Sequence, residues 1–203
     1  MNTSIRFIII TVLPDDTARG FDHARRLACE VGRSRASLAY PPHVTLRTGA
    51  LVPVEHVSAF VQELDETLGA WDSFPVTTDG FVFSQYEDGE ERKYLAGYRV
   101  RKDPSLTSLN ARLLRLEKWR ASNRLLFEPH LTLAFDDLDR KGFQDVQRWL
   151  EANPGALPSS FSWLCENVCL YTRTGDQWTL YREWRSSSDG GYLHSPRWGT
   201  VRT

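Results

Sequence analysis

The sequence predicts an α+β fold assembled twice: two pseudo-symmetric lobes, each with an antiparallel-rich sheet and two helices, around a central cleft. Three observations carry this. The stretch PPHVTL at residues 41–46 returns as EPHLTL at 128–133. The offset that superposes His43 on His130, 87 positions, also superposes Phe74 on Phe161 and Asp16 on Asp103. Strands and helices then alternate in the same order in both halves. One offset that fits motifs, strands and helix starts marks an internal duplication.

The elements follow in order. The β-branched run at about Ile5–Leu13 reads as a buried strand. Pro14-Asp15-Asp16 stops it and offers a helix cap. Phe21, Ala24, Leu27, Ala28 and Val31 fall at helical spacing, and Gly32 closes that helix. A second strand, about Tyr40–Thr48, carries the first motif. Val54, Val57, Phe60, Val61, Leu64 and Leu68 mark a second amphipathic helix, closed by Gly69. A third strand, about Phe74–Tyr86, turns through EDGE into a fourth, Lys93–Arg101.

The pattern then restarts. Asp103-Pro104 is a cap followed by proline at the first helical position, and Leu106, Leu109, Leu113, Leu116 and Trp119 line the helix. The strand Leu126–Phe135 carries the second motif. A helix follows through Phe143, Val146, Trp149 and Leu150. FSWLCENVCLYTR is the next strand, and TGD turns it into QWTLYREWR. Residues 1–185 thus form one bilobal domain with repeat halves at about 5–86 and 92–173. Residues 186–203, opening with SSSDGG, have the composition of a flexible linker and tail. Two sheets facing each other, each bringing one motif to the cleft, is the expected arrangement.

Composition bounds the function. The chain has 203 residues and a formal net charge of −1, which leaves no electrostatic footprint for duplex nucleic acid. A few local cations could still hold a small anion. Cys29, Cys165 and Cys169 are odd in number and form no Cys-x-x-Cys, so they read as reduced core thiols of a cytoplasmic protein. The seven-residue run FIIITVL is too short to span a membrane.

The chemistry sits in the repeated motif. Side chains alternate along a strand, so His43 and Thr45 share one face, as do His130 and Thr132. The aliphatic residues between them face the core. A lone His-x-Thr is compatible with a structural role, but two copies at the repeat offset point to a working pair. One neutral imidazole can take a proton while another, protonated, gives one. The threonine hydroxyls can donate to phosphoryl oxygens as charge builds there. The scheme needs no metal or other cofactor, and no Asp-rich ligand cluster accompanies the histidines. His23, His56 and His194 read as solvated.

PPHVTL and EPHLTL resemble the paired His-x-Thr/Ser motifs of the two-histidine (2H) phosphoesterase superfamily. That family includes RNA 2',3'-cyclic phosphodiesterases, the proteins called 2'-5' RNA ligases, and plant and yeast cyclic nucleotide phosphodiesterases. The resemblance spans about residues 5–185 and looks nearest to the plant-type enzymes. It implies that His43 and His130 are the acid–base pair and that Thr45 and Thr132 hold the phosphate. Plant-type enzymes carry a tyrosine five residues after the second histidine; Phe135 stands there, without the hydroxyl.

Further substrate-binding candidates are Arg47, on the motif face by parity, and the aromatics Tyr40, Tyr86 and Phe135, with Phe83, Tyr98 and Tyr171 behind them. Arg99, Arg101 and Lys102 could line a rim. The reading that follows is a monomeric, metal-independent phosphodiesterase that opens a 2',3'-cyclic phosphate on a nucleotide or short RNA end. Two alternatives stand beside it. One is cleavage or reversible ligation of 2'-5'-linked or cyclic oligonucleotides; the other is a nucleotide-binding module without turnover.

Overall fold

In the computed structural model, which describes residues 4–88, 91–119, 127–174 and 177–187, the elements alternate as the repeat predicts. Strand β1 (Ser4–Val12), helix α1 (Asp15–Gly32), strand β2 (His43–Pro53), helix α2 (Val57–Leu68) and strand β3 (Phe74–Asp88) make the first repeat. Strand β4 (Glu91–Val100), helix α3 (Pro104–Leu114), strand β5 (His130–Phe135), helix α4 (Arg140–Ala152) and strands β6 (Ser162–Cys165) and β7 (Asn167–Thr174) make the second. Strand β8 (Gln177–Arg185) follows.

The strands run in the order β6-β3-β4-β5-β2-β1-β7-β8, all antiparallel. The expectation of two facing sheets is therefore corrected. The two motif strands, β2 and β5, are side by side at the middle of one continuous sheet, joined at Val44 and Leu131. The lobes lie on either side of that seam.

Each lobe mixes the repeats. Strand β3 crosses to pair with β4, and β7 crosses to pair with β1. Helices exchange likewise: α1 packs on α4 and β5, while α3 packs on α2 and β2. The predicted strand 161–173 is broken at Glu166, because its two parts have different partners: β6 pairs with the start of β3 and β7 with β1. Val44, Leu46, Leu131 and Leu133 are buried, as are Phe21 on α1 and Leu109 and Leu113 on α3. Burying each such side chain contributes about 1.5–3 kcal/mol.

Several local expectations shift. Helix α1 begins at Asp15, so Asp16 lies in its first turn, whereas Asp103 caps α3 by accepting from the Ser105 amide at 2.8 Å. Gly32 is the last residue of α1, and the left-handed cap is Arg33 at φ 56°. Glycine is needed at 32 for packing: a methyl there would collide with Leu138 and Val146, and one on Gly142 would collide with the Gly32 carbonyl. Leu116 and Trp119 stay buried beyond α3, Trp119 in the short 3-10 turn Glu117–Trp119. The start of the predicted strand at Leu126 and the tail from 188 lie outside the described residues. Ser186 and Ser187 belong to the fold, their amides donating to the Glu166 and Trp71 carbonyls at 2.9 Å. The three cysteines are buried and free. Among the described residues no helix is long and apolar enough to cross a membrane.

Candidate active site

The seam between β2 and β5 builds the site. Val44 pairs antiparallel with Leu131 and both are fully buried, so the residues flanking them face the other way. Carrying that register one position each way sets Thr45 beside His130 and His43 beside Thr132. Directly opposed Cα atoms are about 4.5–5.5 Å apart. The two imidazoles sit on the diagonal, where residues are about 7–8 Å apart and their Cβ atoms somewhat closer, which leaves room for a phosphoryl group between the rings. All four side chains are half-buried.

Each histidine is held from behind in the same way. His43 Nδ1 lies 2.8 Å from the Pro41 carbonyl, and His130 Nδ1 lies 2.8 Å from the Glu128 carbonyl. A carbonyl only accepts, so Nδ1 carries the proton and, in the neutral ring, Nε2 is the basic nitrogen. The intervening prolines, lacking an N–H, offer only their carbonyls: Pro42 accepts from the Leu13 amide at 3.1 Å and Pro129 from the Val100 amide at 3.0 Å. That is why Pro-His stands at the start of both strands.

His43 is pushed down to about 4, chiefly by loss of hydration, then by the neighbouring His130 and Arg25, with the Pro41 carbonyl acting the other way. The ring is neutral at neutral pH. The action of His130 on the His43 ring is what two imidazoles about one site would produce.

A β-bulge follows the threonine in both motif strands. Between β1 and β2, Ile10 pairs with Thr45 but Ile9 with Arg47; between β4 and β5, Gly97 pairs with Thr132 but Ala96 with Ala134. Each motif strand thus carries one extra residue, Leu46 or Leu133, and its alternation changes phase there. The freed carbonyls are buried and need partners. Asn110 Nδ2 donates to the Leu46 oxygen at 2.6 Å, and the Ser37 hydroxyl donates to the Leu133 oxygen at 3.0 Å. Each partner comes from the opposite repeat. Sequence reasoning missed both; the available signal was a polar Asn110 amid the leucines of α3.

The bulge corrects the reading of Arg47. Counted by twos from His43 it shares the motif face, but the extra residue turns it toward the helices. Arg47 is 6% exposed and its guanidinium donates to the Leu113 and Leu116 carbonyls at 2.7 Å each. It closes the C-terminus of α3 instead of reaching a phosphate. The same phase change brings Phe135 onto the motif face, where its ring stacks on Tyr86 at 5.7 Å. Tyr40 stands edge-on to the His43 ring at 5.5 Å. Its hydroxyl is raised to about 12, first by burial and then by Asp136, so it stays protonated. Tyr98 is in the core, its hydroxyl donating to the Pro158 carbonyl at 2.9 Å, and Phe83 packs on Phe143; neither is available to a base. Tyr171 is half-buried on β7. His23 and His56 are exposed, as expected, and His194 lies outside the described residues.

A further positioning residue is Arg25, buried, whose Nη1 donates to the Ser37 and Tyr40 carbonyls at 2.8 Å each while Nη2 bonds Asp22 at 2.6 Å. It fixes the segment that leads into the first motif. Asp137 does so from β5's end, accepting from the Ser34 hydroxyl at 2.5 Å and the Arg35 and Ala36 amides at 2.7 and 3.1 Å.

A family model described as the 2'-5' RNA ligase superfamily matches residues 13–177. Among solved structures, E. coli LigT complexed with 3'-AMP superposes with a TM-score of 0.62 at 19% identity, over 92% of this chain and 100% of that one. LigT complexed with phosphate gives 0.57 at 18% identity, over 91% and 99%. TT0787 of Thermus thermophilus gives 0.62 at 13% identity, over 91% and 100%. No curated protein matches the chain in sequence. At these identities the structural likeness establishes the fold.

Proposed function

The chain belongs to the 2'-5' RNA ligase superfamily of 2H phosphoesterases, and from that premise we propose that it opens a 2',3'-cyclic phosphate at the end of a nucleotide or short RNA. Family membership makes it a phosphodiesterase-type enzyme. The observation that carries the finer reading is the β2–β5 register, which gathers two imidazoles and two hydroxyls on one face. Each imidazole has its Nδ1 bound to a backbone carbonyl.

In this reading water attacks phosphorus while neutral His43 takes its proton at Nε2. The new P–O bond forms as one ring P–O bond breaks, and His130 gives a proton to the departing ribose oxygen. Thr45 and Thr132 donate to the non-bridging oxygens, where charge accumulates. The proton balance closes when the two rings exchange protons with solvent, and every group needed is a side chain. LigT has been crystallised with 3'-AMP and with phosphate. A 3'-nucleotide is what breaking the P–O2' bond of a cyclic phosphate would leave, which supports the same substrate class here.

The test is turnover of nucleoside 2',3'-cyclic phosphates in EDTA, with the product's phosphate position read by phosphorus NMR. Formation of a single 2'- or 3'-monophosphate supports the reading. Inert cyclic phosphates alongside cleavage of 2'-5'-linked dinucleotides would replace it.

A further inference from the structure

The four motif side chains are nearly symmetric, but their flanks are not. Beside His43 on β1 stands Val12, and beside Thr45 stands Ile10. The repeat-equivalent positions on β4 are Arg99, beside His130, and Gly97, beside Thr132. Directly paired residues share a face, so Arg99 projects on the motif face next to His130. Arg99 is exposed, while Ile10 is buried and Val12 half-buried.

Gly97 is demanded by the bulge, since a methyl there would strike the Leu131 carbonyl. It also leaves the motif face beside Thr132 without a side chain. One flank of the quartet is thus an apolar ridge; the other is a gap with a cation at its end.

Among the described residues Arg99 has no ion pair, unlike its neighbours. Lys102 pairs with Glu128 at 2.7 Å, and Lys93 with Glu91 and Asp136 at 3.0 and 3.3 Å. Asp79 lies in the irregular stretch of β3 opposite Arg99, yet no ion pair joins them, and Arg99 makes none with any described residue.

We propose that Arg99 holds the phosphodiester immediately upstream of the reacting phosphate, so that the preferred substrate is an oligonucleotide end and not a lone cyclic mononucleotide. This rests on the phosphodiesterase reading and deepens it. Thr45, His43, His130 and Thr132 surround the reacting group, and Arg99 stands one strand further out, to one side of them. A guanidinium there meets the next anion along a chain that leaves over Gly97. Arginine suits that task because its planar fork pairs with two phosphate oxygens. The apolar Ile10–Val12 flank offers no such contact, which sets the direction in which the chain runs.

The experiment compares adenosine 2',3'-cyclic phosphate with a diadenosine ending in the same cyclic phosphate, on wild type, Arg99→Ala and Arg99→Lys. Arg99→Ala should lose about 10- to 100-fold in kcat/KM on the dinucleotide, through KM, as expected for one charge-assisted contact. It should stay within about threefold of wild type on the mononucleotide, where no upstream phosphate exists. Arg99→Lys should recover part of the loss, and the wild-type preference should weaken with salt. Equal loss on both substrates, or loss on neither, overturns the proposal. Calorimetric binding of adenosine 3'-phosphate and of diadenosine 3'-phosphate separates this from the catalytic reading. A preference for the longer ligand that Arg99→Ala abolishes supports the subsite even where neither cyclic substrate turns over. Equal affinities overturn it even in an active enzyme.

Discussion

Lowering the pH from about 7 to about 5 should remove about 2 kcal/mol of stability through His43 alone. The folded ring titrates at about 4, against an ordinary value of 6.5, because the site strips its water and sets His130 beside it. Between those two values the unfolded chain binds more protons than the folded one. Stability from this group is therefore fully present above 6.5 and declines as pH falls toward 4. At about pH 5 the unfolded imidazole is nearly all protonated while the folded one is still mostly neutral, a gap of about 1.5 pH units at about 1.4 kcal/mol each. Urea denaturation of wild type and His43→Gln at both pH values isolates the effect, since every other group is common to both. The variant should lack about 2 kcal/mol of the wild-type pH dependence. Added phosphate, an anion that favours the protonated ring, should stabilise the wild type more at the lower pH. Identical pH dependence in the two proteins, or a His43 ring titrating at its ordinary value by nitrogen NMR, would refute the reasoning.

Four further substitutions separate chemistry from architecture. Thr45→Ala or Thr132→Ala should lower turnover by about 10- to 10³-fold with little change in denaturation midpoint, as loss of one oxyanion donor does. Arg47→Ala should cost about 2–4 kcal/mol in urea denaturation, because the Leu113 carbonyl of α3 and the Leu116 carbonyl just beyond it lose a charged donor. Its kcat/KM in the folded protein should remain within about tenfold of wild type, as fits a residue that does not touch phosphate. Asn110→Ala leaves the Leu46 carbonyl of the first bulge unpaired and should cost about 1–3 kcal/mol, read in the same assay.

Much of this architecture was legible in the chain because periodicity and repetition are local signals. The offset relating His43 to His130 located both motif strands, and strand parity set His43, Thr45, His130 and Thr132 on one face. Parity then failed at Arg47 and Phe135, since a bulge is decided by what each strand pairs with and not by the strand itself. The same limit explains the crossing of β3 and β7. Their residues read as third strands of two separate repeats, and only pairing across the molecule shows that each completes the other lobe. Gly32 looked like a helix stop because its reason lies in Leu138 and Val146, on the far side of the sequence. Asn110, Ser37 and Arg25 stayed hidden for a related reason. Their task is to satisfy backbone carbonyls distant in sequence, which no local pattern announces.

The acid–base pair is tested most directly by a double-mutant cycle on a nucleoside 2',3'-cyclic phosphate in EDTA. His43→Ala and His130→Ala should each reduce kcat by about 10²–10⁴-fold, the usual worth of a positioned acid or base. The double variant should be little worse than the poorer single one, because the two rings act as one unit. His56→Ala, at an exposed position, should match wild type. Full turnover in His130→Ala, independent losses that multiply in the double variant, or activity abolished by chelator and restored by zinc would contradict the assignment.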